Sequence, residues 1–239
     1  MRQITKAVLL AAGRGTRMRE LTNDLPKPML QVQGRPILQH IIEGLRPAGI
    51  RDVLLVVGWR ADIVRDFFGN GAQFDLRIEY ATQLVQDGTG KVVELAREFC
   101  GHEPFLLSYG DILIEFSNYA RLALPGDDVD AIISVKRNED VSKGGAVFVD
   151  GSFNMTDLRE KQQPGEPTSP WYNAGVYMFR RSIFDYTARL QRSPRGEFEL
   201  TDAIRGLALS GKRVQALELA GDWADVRDPE ILKELNSPS

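Results

Sequence analysis

The sequence is poor in the residue types that build disulfides and histidine metal centres. Its 239 residues include one cysteine, Cys100, and two histidines, His40 and His102. One cysteine excludes an internal disulfide and a multi-cysteine zinc site. The formal net charge of −3 carries no basic excess, so we expect no nucleic acid partner bound through whole-molecule charge. No apolar run approaches the roughly 20 residues that cross a bilayer, and we expect no membrane partner.

The composition is that of a folded domain, with 43% hydrophobic and 26% charged residues and with 22 glycines spread along the chain. The length suits one domain with a sizeable core. A short apolar run at 7–12 follows two positive charges, as in a weak signal peptide, but Gly13, Arg14 and Gly15 come directly after it. We therefore interpret the run as a buried first strand and expect a cytoplasmic protein.

Short apolar runs alternate with helical patterns through the first half of the chain. The patterns predict strands at 6–12, 53–57, 76–81 and 105–109, and helices at 36–48, 61–68 and 92–99. Continuously apolar strands that alternate with helices are typical of a parallel sheet covered on both faces. His40 lies among the apolar positions of the first of these helices, and we interpret it as a packing residue. The sequence therefore predicts an α/β fold with a mostly parallel central sheet.

The second half of the chain is less regular. Strand patterns at 130–135, 145–149 and 175–179 have little helix between them, which predicts an antiparallel or mixed extension of the sheet. The proline-rich stretch 162–170 is predicted to be a loop at the mouth of the site. Helices are predicted at 198–209 and 229–235, and Asp228 is the expected N-cap of the second because Pro229 suits a first helical turn.

A glycine-rich turn directly follows the first predicted strand. Gly13 and Gly15 let the backbone approach a ligand closely, and the N–H groups of such a turn can point at phosphate oxygens. Residues 1–35 hold seven Lys or Arg and two Asp or Glu, a local charge of +5 in a chain of net charge −3. Arg17 and Lys27 are among these cations. The segment therefore suits a multiply charged anion such as a triphosphate.

Three phosphate-binding motifs compete for this turn. The dinucleotide fingerprint requires a third glycine where Met18 stands. The P-loop requires Gly-Lys-Ser/Thr, which the chain lacks. The third motif is G-x-G-T-R followed about ten residues on by Pro-Lys-Pro, and Gly13–Gly15–Thr16–Arg17 with Lys27 between two prolines fits it directly. The flanking prolines restrict the backbone that presents the Lys27 ammonium group.

On these motifs the chain resembles the sugar-1-phosphate nucleotidyltransferases, and its pattern is most similar to the glucose-1-phosphate thymidylyl- and uridylyltransferases. The resemblance covers nearly all of the chain. It implies a Rossmann-like, three-layer αβα fold in one domain (1–239), with a small mixed β extension over the sugar site. It also implies a nucleotide-binding half at about 1–125 and a sugar-binding half at about 126–239. The implied reaction needs Mg²⁺: the sugar phosphate attacks the α-phosphorus of a nucleoside triphosphate, and pyrophosphate leaves.

The substrates are less closely specified by the resemblance. UTP or dTTP is the expected nucleotide and glucose 1-phosphate the expected acceptor, while CTP and acceptors such as N-acetylmuramate 1-phosphate stay open. A non-catalytic nucleotide-binding regulatory protein of the same fold is an alternative. A glycosyltransferase that uses a finished nucleotide sugar is another, but that class usually carries Asp-x-Asp where this chain has Asp111-Ile112-Leu113. Assembly into a homo-oligomer is also left open.

Two carboxylates are the candidate metal ligands. Asp111 follows the buried strand at 105–109, and the carboxyl ends of parallel strands lie at the ligand crevice of such folds. Its Gly-Asp setting also matches the family's magnesium ligand. The resemblance implies Asp225, in a Trp-x-Asp segment, as the second ligand, in preference to Asp222 and Asp228. Mg²⁺ prefers one or two carboxylates together with phosphates and waters.

The remaining site residues are carried over from the family motifs. Arg17 and Lys27 would stabilise charge on the triphosphate, and Lys161 would hold the sugar phosphate. The expected nucleotide contacts are Ala11, Ala12, Gly13, Gly15, Thr16, Gln83 and Gly88. Gln83 and Gly88 would read the pyrimidine edge, for which an amide offers both a donor and an acceptor. The expected sugar contacts are Gly145, Glu160 and Asn173. The segment 195–202 matches a further family block and is expected to order the wall of the site, whereas Lys91 is given no role.

Overall fold

The computed structural model of the chain describes residues 3–137, 139–161 and 165–237. The strands are β1 (Lys6–Ala11), β2 (Gln31–Val32), β3 (Arg35–Pro36), β4 (Asp52–Val57), β5 (Arg77–Thr82), β6 (Phe105–Tyr109), β7 (Ile112–Ile114), β8 (Ala131–Arg137), β9 (Gly145–Val149), β10 (Met155–Glu160), β11 (Trp171–Phe179), β12 (Val214–Glu218) and β13 (Trp223–Asp225). The helices are α1 (Ile37–Leu45), α2 (Ala61–Phe68), α3 (Thr89–Glu94), α4 (Arg97–Cys100), α5 (Ser117–Leu122), α6 (Ile183–Thr187), α7 (Leu200–Leu209) and α8 (Pro229–Leu235).

Nine of these strands form one sheet, whose main path runs β10-β9-β11-β6-β1-β4-β5. The segment β6-β1-β4-β5 is parallel throughout. Beyond β6 the sheet becomes mixed, because β11 runs antiparallel to β6, β8 and β9 while β12 runs parallel to β8. The predicted parallel sheet with a mixed extension is confirmed, and the extension comprises five strands.

Helices cover both faces of the sheet, and alternate residues of β1 show the division. Ala7 and Leu9 face a core that includes buried residues of α1, α2 and α5. Val8 faces a second core that includes buried residues of α3, α4, α6 and α7. A strand buried on both faces needs apolar side chains at every position, which explains the continuous run at the start of the chain. The predicted three-layer αβα architecture is therefore present. In the described part of the chain, no helix is long and apolar enough to span a membrane.

Some predicted helices have the observed bounds and others do not. The predicted helices at 61–68 and 229–235 have the observed bounds, and Asp228 caps the second by accepting from the backbone N–H of Ile231 at 3.0 Å. The single helix predicted at 92–99 is wrong, because a tight turn at Leu95 and Ala96 divides it into α3 and α4. The strand patterns gave no signal for β7 or β13. Of the predicted proline-rich loop, residues 162–164 lie outside the described part of the chain.

The strand order places a crevice between β1 and β6. The chain leaves β1 toward β4 and β5 on one side and returns to β6 on the other. The loops that follow two such strands diverge, and open α/β sheets bind ligands at this switch point, beyond the carboxyl ends of the strands. The glycine-rich turn follows β1 and the Gly-Asp pair follows β6. The fold thus brings together the two segments that the sequence singled out.

Candidate active site

A cavity of about 460 Å³ lies at the carboxyl ends of β1 and β6. Many of the sequence-predicted nucleotide, catalytic and metal residues line it. They are Ala11, Ala12, Gly13, Gly15, Arg17, Lys27, Gln83, Gly88, Asp111 and Asp225. Thr16, Gly145, Glu160, Lys161 and Asn173 do not line it. We call this cavity the cleft.

The two sequence motifs at the start of the chain pack directly against each other. Gly15 has a φ of +72°, and a Cβ atom there would lie 2.6 Å from the Cβ of Lys27. Glycine is therefore required at position 15 both by its backbone conformation and by the approach of Lys27. Lys27 opens a short 3-10 turn, and its ammonium group donates a hydrogen bond to the Asp111 carboxylate. The turn, the lysine and the first metal candidate form one unit.

Gly13 differs from Gly15 in having no structural requirement for glycine. Its φ is not positive, and a Cβ atom built there would meet nothing within 4 Å. Its backbone nevertheless lines the cleft. Neither packing nor conformation therefore requires glycine at this position, which is compatible with the close approach of a ligand predicted from the sequence.

A two-stranded ladder brings Asp111 and Asp225 together across more than a hundred residues of sequence. Strand β7 begins directly after Asp111 and pairs antiparallel with β13, which ends at Asp225. The next residue, Val226, donates its N–H to the Asp111 carbonyl at 3.0 Å. Burial and then the nearby Asp111 carboxylate raise the pKa of Asp225 to about 6, against the opposing effect of Lys27. The two carboxylates thus share one site, as the metal prediction required.

The segment after β5 forms the opposite wall of the cleft. Gln83 is held by its backbone N–H, which donates to the Val57 carbonyl at 2.8 Å. Gln86 donates from its side chain to the Ala12 carbonyl at 3.2 Å and so ties this segment to the glycine-rich turn. Gly88 has a φ of +114°, and a Cβ atom there would lie 2.5 Å from the backbone nitrogen of Phe198. The glycine at position 88 therefore allows this wall to pack on the segment 195–202.

The predicted sugar contacts Gly145, Glu160 and Asn173 form a second set of residues beside the cleft, which we call the sugar group. A Cβ atom on Gly145 would lie 3.2 Å from both the Asn173 Cβ and a Glu160 carboxylate oxygen. Asn173 donates to the Tyr177 hydroxyl at 2.8 Å, and the Tyr177 ring meets the edge of the Tyr109 ring at 6.0 Å. Tyr109 lines the cleft. Side chains in contact therefore connect the sugar group with the residues that line the cleft.

Burial acts on the Glu160 carboxyl of the sugar group. It raises the pKa of the Glu160 carboxyl, and the positive charge of Arg195 opposes this rise. Lys161 follows β10 with a left-handed φ of +47° and donates its backbone N–H to the Gly144 carbonyl at 2.7 Å. This contact fixes the backbone of Lys161 beside the Gly145 position.

Several residues that line the cleft were missed by sequence reasoning. They are Gln86, Thr89, Tyr109 and Arg227, whereas Glu197 lies in the segment 195–202 that was expected to order the wall of the site. Thr89 follows the predicted Gly88, and Tyr109 ends the strand predicted at 105–109, so these positions were the available signal. Arg227 lies between Asp225 and Asp228, which were considered as metal ligands, and no role was predicted for it. His40 lies outside the cleft, where a ring nitrogen contacts the Val32 carbonyl at 2.8 Å, in line with its predicted packing role.

Comparison with known proteins identifies the family of this fold and site. The family model described as nucleotidyl transferase matches residues 6–237. The chain belongs to this family. The resemblance to sugar-1-phosphate nucleotidyltransferases inferred from the sequence is confirmed by the named members among the similar proteins.

Two of these similar nucleotidyl transferases extend beyond the region they share with this chain. A bifunctional protein GlmU of Methanococcus aeolicus is 36% identical over 233 residues, which cover 97% of this chain and 53% of that protein. A glucose-1-phosphate thymidylyltransferase of Streptomyces griseus is 32% identical over 236 residues, which cover 97% of this chain and 65% of that protein. The chain thus spans between about half and two thirds of the length of these relatives.

A solved structure supports the fold of the family. A UDP-glucose pyrophosphorylase complexed with UDP-glucose superposes with a TM-score of 0.84 at 24% identity, covering 98% of this chain and 97% of that one. At this level of identity, the likeness shows that the two chains share the nucleotidyl transferase fold.

Proposed function

We propose that the protein transfers a nucleoside monophosphate from a nucleoside triphosphate to a sugar 1-phosphate, forming a nucleotide sugar and pyrophosphate. The observation that carries this proposal is that one cleft collects the glycine-rich turn, Arg17, Lys27 and the carboxylate pair Asp111 and Asp225. Family membership supports the same reaction class.

The chemistry requires two anions to meet in line. Both substrates carry phosphate groups that repel each other, so an enzyme that joins them must neutralise charge and fix geometry. Backbone N–H groups of the turn would contact the triphosphate, and Lys27 and Arg17 would stabilise the charge that builds on it. An oxygen of the sugar phosphate attacks the α-phosphorus while the bond to the pyrophosphate oxygen breaks. The reaction needs no general base, because the attacking phosphate is already ionised at neutral pH.

The donor set at the carboxylate pair suits Mg²⁺. Asp111 and Asp225 offer oxygen ligands from two adjacent strands, and their mutual repulsion raises the pKa of Asp225 in addition to the effect of burial. A divalent cation between them would relieve that repulsion. The described residues contain no group of three or more His, Cys, Asp or Glu side chains placed for a metal. A two-carboxylate site completed by phosphates and waters is what Mg²⁺ prefers. When bound, the ion would neutralise phosphate charge.

The sugar would occupy the group formed by Gly145, Glu160 and Asn173, with Lys161 holding its phosphate. In this proposal the half at about 1–125 binds the nucleotide, and the half at about 126–239 supplies the sugar contacts and the second metal ligand. The chain of contacts through Tyr177 and Tyr109 supports this arrangement, because it joins the two groups without a gap. A cytoplasmic location and assembly into a homo-oligomer stay predictions.

UTP or dTTP is the proposed nucleotide, with Gln83 reading the base edge, and glucose 1-phosphate is the first acceptor to test. The relative named a glucose-1-phosphate thymidylyltransferase supports this choice. CTP and N-acetylmuramate 1-phosphate belong in the same assay, because the site residues do not exclude them.

A pyrophosphate-release assay tests the proposal. Folded protein with Mg²⁺ is offered each of UTP, dTTP, CTP, ATP and GTP with glucose, N-acetylglucosamine, mannose and N-acetylmuramate 1-phosphates. We expect release with at least one pyrimidine nucleotide, dependent on both the acceptor and the metal. Nucleotide binding without pyrophosphate release for any pair would instead support a regulatory protein. Release of a nucleoside diphosphate from a finished nucleotide sugar, with no pyrophosphate from any pair, would support a glycosyltransferase.

A further inference from the structure

Arg227 is a cleft-lining cation that the site described above does not use. It lies two residues after Asp225, and its side chain is 21% exposed. Its guanidinium nitrogens lie 3.9 Å from the Asp225 carboxylate and 3.9 Å from the Asp228 carboxylate. These distances are too long for hydrogen bonds. Within residues 3–137, 139–161 and 165–237, the structure shows no hydrogen bond donated by this guanidinium.

The neighbouring acidic groups are engaged elsewhere. Asp228 accepts the N–H of Ile231 as the N-cap of α8. Asp225 faces Asp111 across the β7–β13 ladder. A guanidinium carries five N–H donors in a planar fork, and the two long ion-pair contacts with Asp225 and Asp228 do not use them in hydrogen bonds. The fork of Arg227 is therefore available to a ligand inside the cleft.

The strand that ends at Asp225, two residues before Arg227, packs beside the sugar group. The Tyr172 ring packs against Trp223 of β13 at 5.5 Å. A Cβ atom on Gly144 would lie 2.5 Å from Cζ of the Tyr172 ring, so this tyrosine also borders the glycines of the sugar group. Burial and then the Asp225 charge raise the pKa of Tyr172 to about 12, and Arg227 opposes the rise. Tyr172 therefore connects the strand that ends at Asp225 with the glycines of the sugar group.

The other two cations that line the cleft, Lys27 and Arg17, belong to the glycine-rich turn. Lys27 packs on the glycine-rich turn and donates to Asp111, and Arg17 is part of the same turn. Arg227 instead follows β13, and Trp223 of that strand packs on Tyr172 beside the sugar group.

We propose that the Arg227 guanidinium binds the phosphate of the acceptor sugar 1-phosphate through two of its N–H groups. The inference rests on the proposed function and adds a residue to it. A planar fork matches two phosphate oxygens and fixes their orientation, which an ammonium group does not do. Arg227 would thus orient the attacking phosphate beside the carboxylate pair.

Steady-state kinetics of Arg227→Gln and Arg227→Lys test the inference, with the best substrate pair of the wild-type panel. We expect Arg227→Gln to raise the KM for the sugar 1-phosphate at least about tenfold, while the KM for the nucleotide and the Mg²⁺ dependence stay near the wild-type values. Arg227→Lys should restore part of the loss, since it keeps the charge without the fork. The control is Arg181→Gln, an exposed arginine that donates to the Gly101 carbonyl at 3.0 Å near the opposite end of β6.

Titration calorimetry with glucose 1-phosphate gives a second readout that does not depend on turnover. Weaker binding to Arg227→Gln than to the wild-type and Arg181→Gln proteins would support the inference. An unchanged acceptor KM would overturn the inference. It would also be overturned if the KM values for both substrates rose equally and the Mg²⁺ dependence changed, because Arg227 would then act only by holding Asp225. If Arg227→Gln does not fold, an unchanged acceptor KM in Arg227→Lys overturns the bidentate contact. Absence of turnover in the wild-type protein would defeat the proposed function, whereas the calorimetry would still test the Arg227 contact.

Discussion

At the scale of single residues, the ion pair between Lys27 and Asp111 connects positions that are 84 residues apart in sequence. Lys27 is 12% exposed in its side chain and Asp111 is 27% exposed, so water screens the pair only in part. Charges held in place in such a setting stabilise developing charge without reorganisation during the reaction. The pair therefore places a fixed cation where the triphosphate is expected.

Replacement of Lys27 by alanine is expected to lower kcat/KM by about a hundredfold or more, the usual scale for removal of one preorganised charge-stabilising donor. The fold should persist, because the Lys27 side chain lies at the cleft and not in either core. Pyrophosphate release and thermal unfolding measure the two effects, with the exposed Lys212→Ala as the charge-matched control. Loss of the folded state in Lys27→Ala would show a structural role instead.

Gly13 and Gly15 offer a matched pair within one turn. Gly13→Ala is expected to leave the free energy of unfolding unchanged or to raise it by up to about 1 kcal/mol, because alanine restricts the unfolded chain. It should nonetheless weaken nucleotide binding. Gly15→Ala should lower both stability and binding, because its φ of +72° and the approach of Lys27 exclude a Cβ atom. Urea unfolding and nucleotide titration separate the cases, and full nucleotide affinity in Gly13→Ala would contradict this interpretation.

The residue-scale predictions from sequence depended on local motifs. Lys27 was predictable because prolines flank it and the glycine turn precedes it. Asp111 was predictable because it follows a buried strand. Arg227 was not, since its position in the cleft depends on the pairing of β13 with β7, and a three-residue strand leaves no periodic pattern.

At the scale of elements, the wall formed by residues 87–90 is held by the segment that precedes α7. The Gly90 N–H donates to the Phe198 carbonyl at 2.7 Å, and the Phe198 N–H donates to the Asp87 carbonyl at 2.8 Å. Long-range backbone pairing of this kind cannot be read from periodicity. The pairing with Phe198 gives Gly88 a packing role in addition to the base contact that the family resemblance implied.

Gly88→Ala is expected to destabilise the protein by at least about 1 kcal/mol more than Gly101→Ala, since both need a left-handed φ but the Cβ atom at position 88 also meets backbone. A Cβ atom on Gly101 would meet nothing within 4 Å, so this variant isolates the conformational cost. The free energies of unfolding in urea provide the comparison. Equal losses in the two variants would show that the contact with Phe198 contributes nothing.

The elements themselves were predictable to different degrees. Strands β1, β4 and β6 are buried on both faces, so their apolar runs stood out. Strand β10 has the sequence MTDLRE, in which only Met155 and Leu158 are apolar, so it shows neither an apolar run nor an alternating pattern. The helix predicted at 92–99 is divided at Leu95 and Ala96, and the apolar periodicity gave no signal for this turn.

At the scale of the whole molecule, Cys100 reports on global unfolding. Its side chain is fully buried in the core that contains α3, α4, α6 and α7. Burial raises the pKa of its thiol to about 12, so the reactive thiolate is scarce in the folded protein until the pH approaches that value. In the unfolded chain, the pKa returns to about 8.5.

We therefore expect the native protein to resist a thiol reagent at about pH 8, where an unfolded cysteine is partly ionised. One thiol per chain should react when urea unfolds the protein. Nucleotide with Mg²⁺ should slow labelling at intermediate urea concentrations, because a ligand that binds only the folded state stabilises it. Rapid labelling of the native protein would contradict the burial of Cys100 in this core.

The central claim is that one cleft holds the triphosphate between the glycine-rich turn and the two carboxylates. A crystal structure with UTP or dTTP and Mg²⁺ tests it most directly. The account predicts phosphate oxygens against the backbone of Gly13 and Gly15, Lys27 beside them, and the metal ion between Asp111 and Asp225. A nucleotide bound at another surface, or a metal ion that contacts neither carboxylate, would contradict the account.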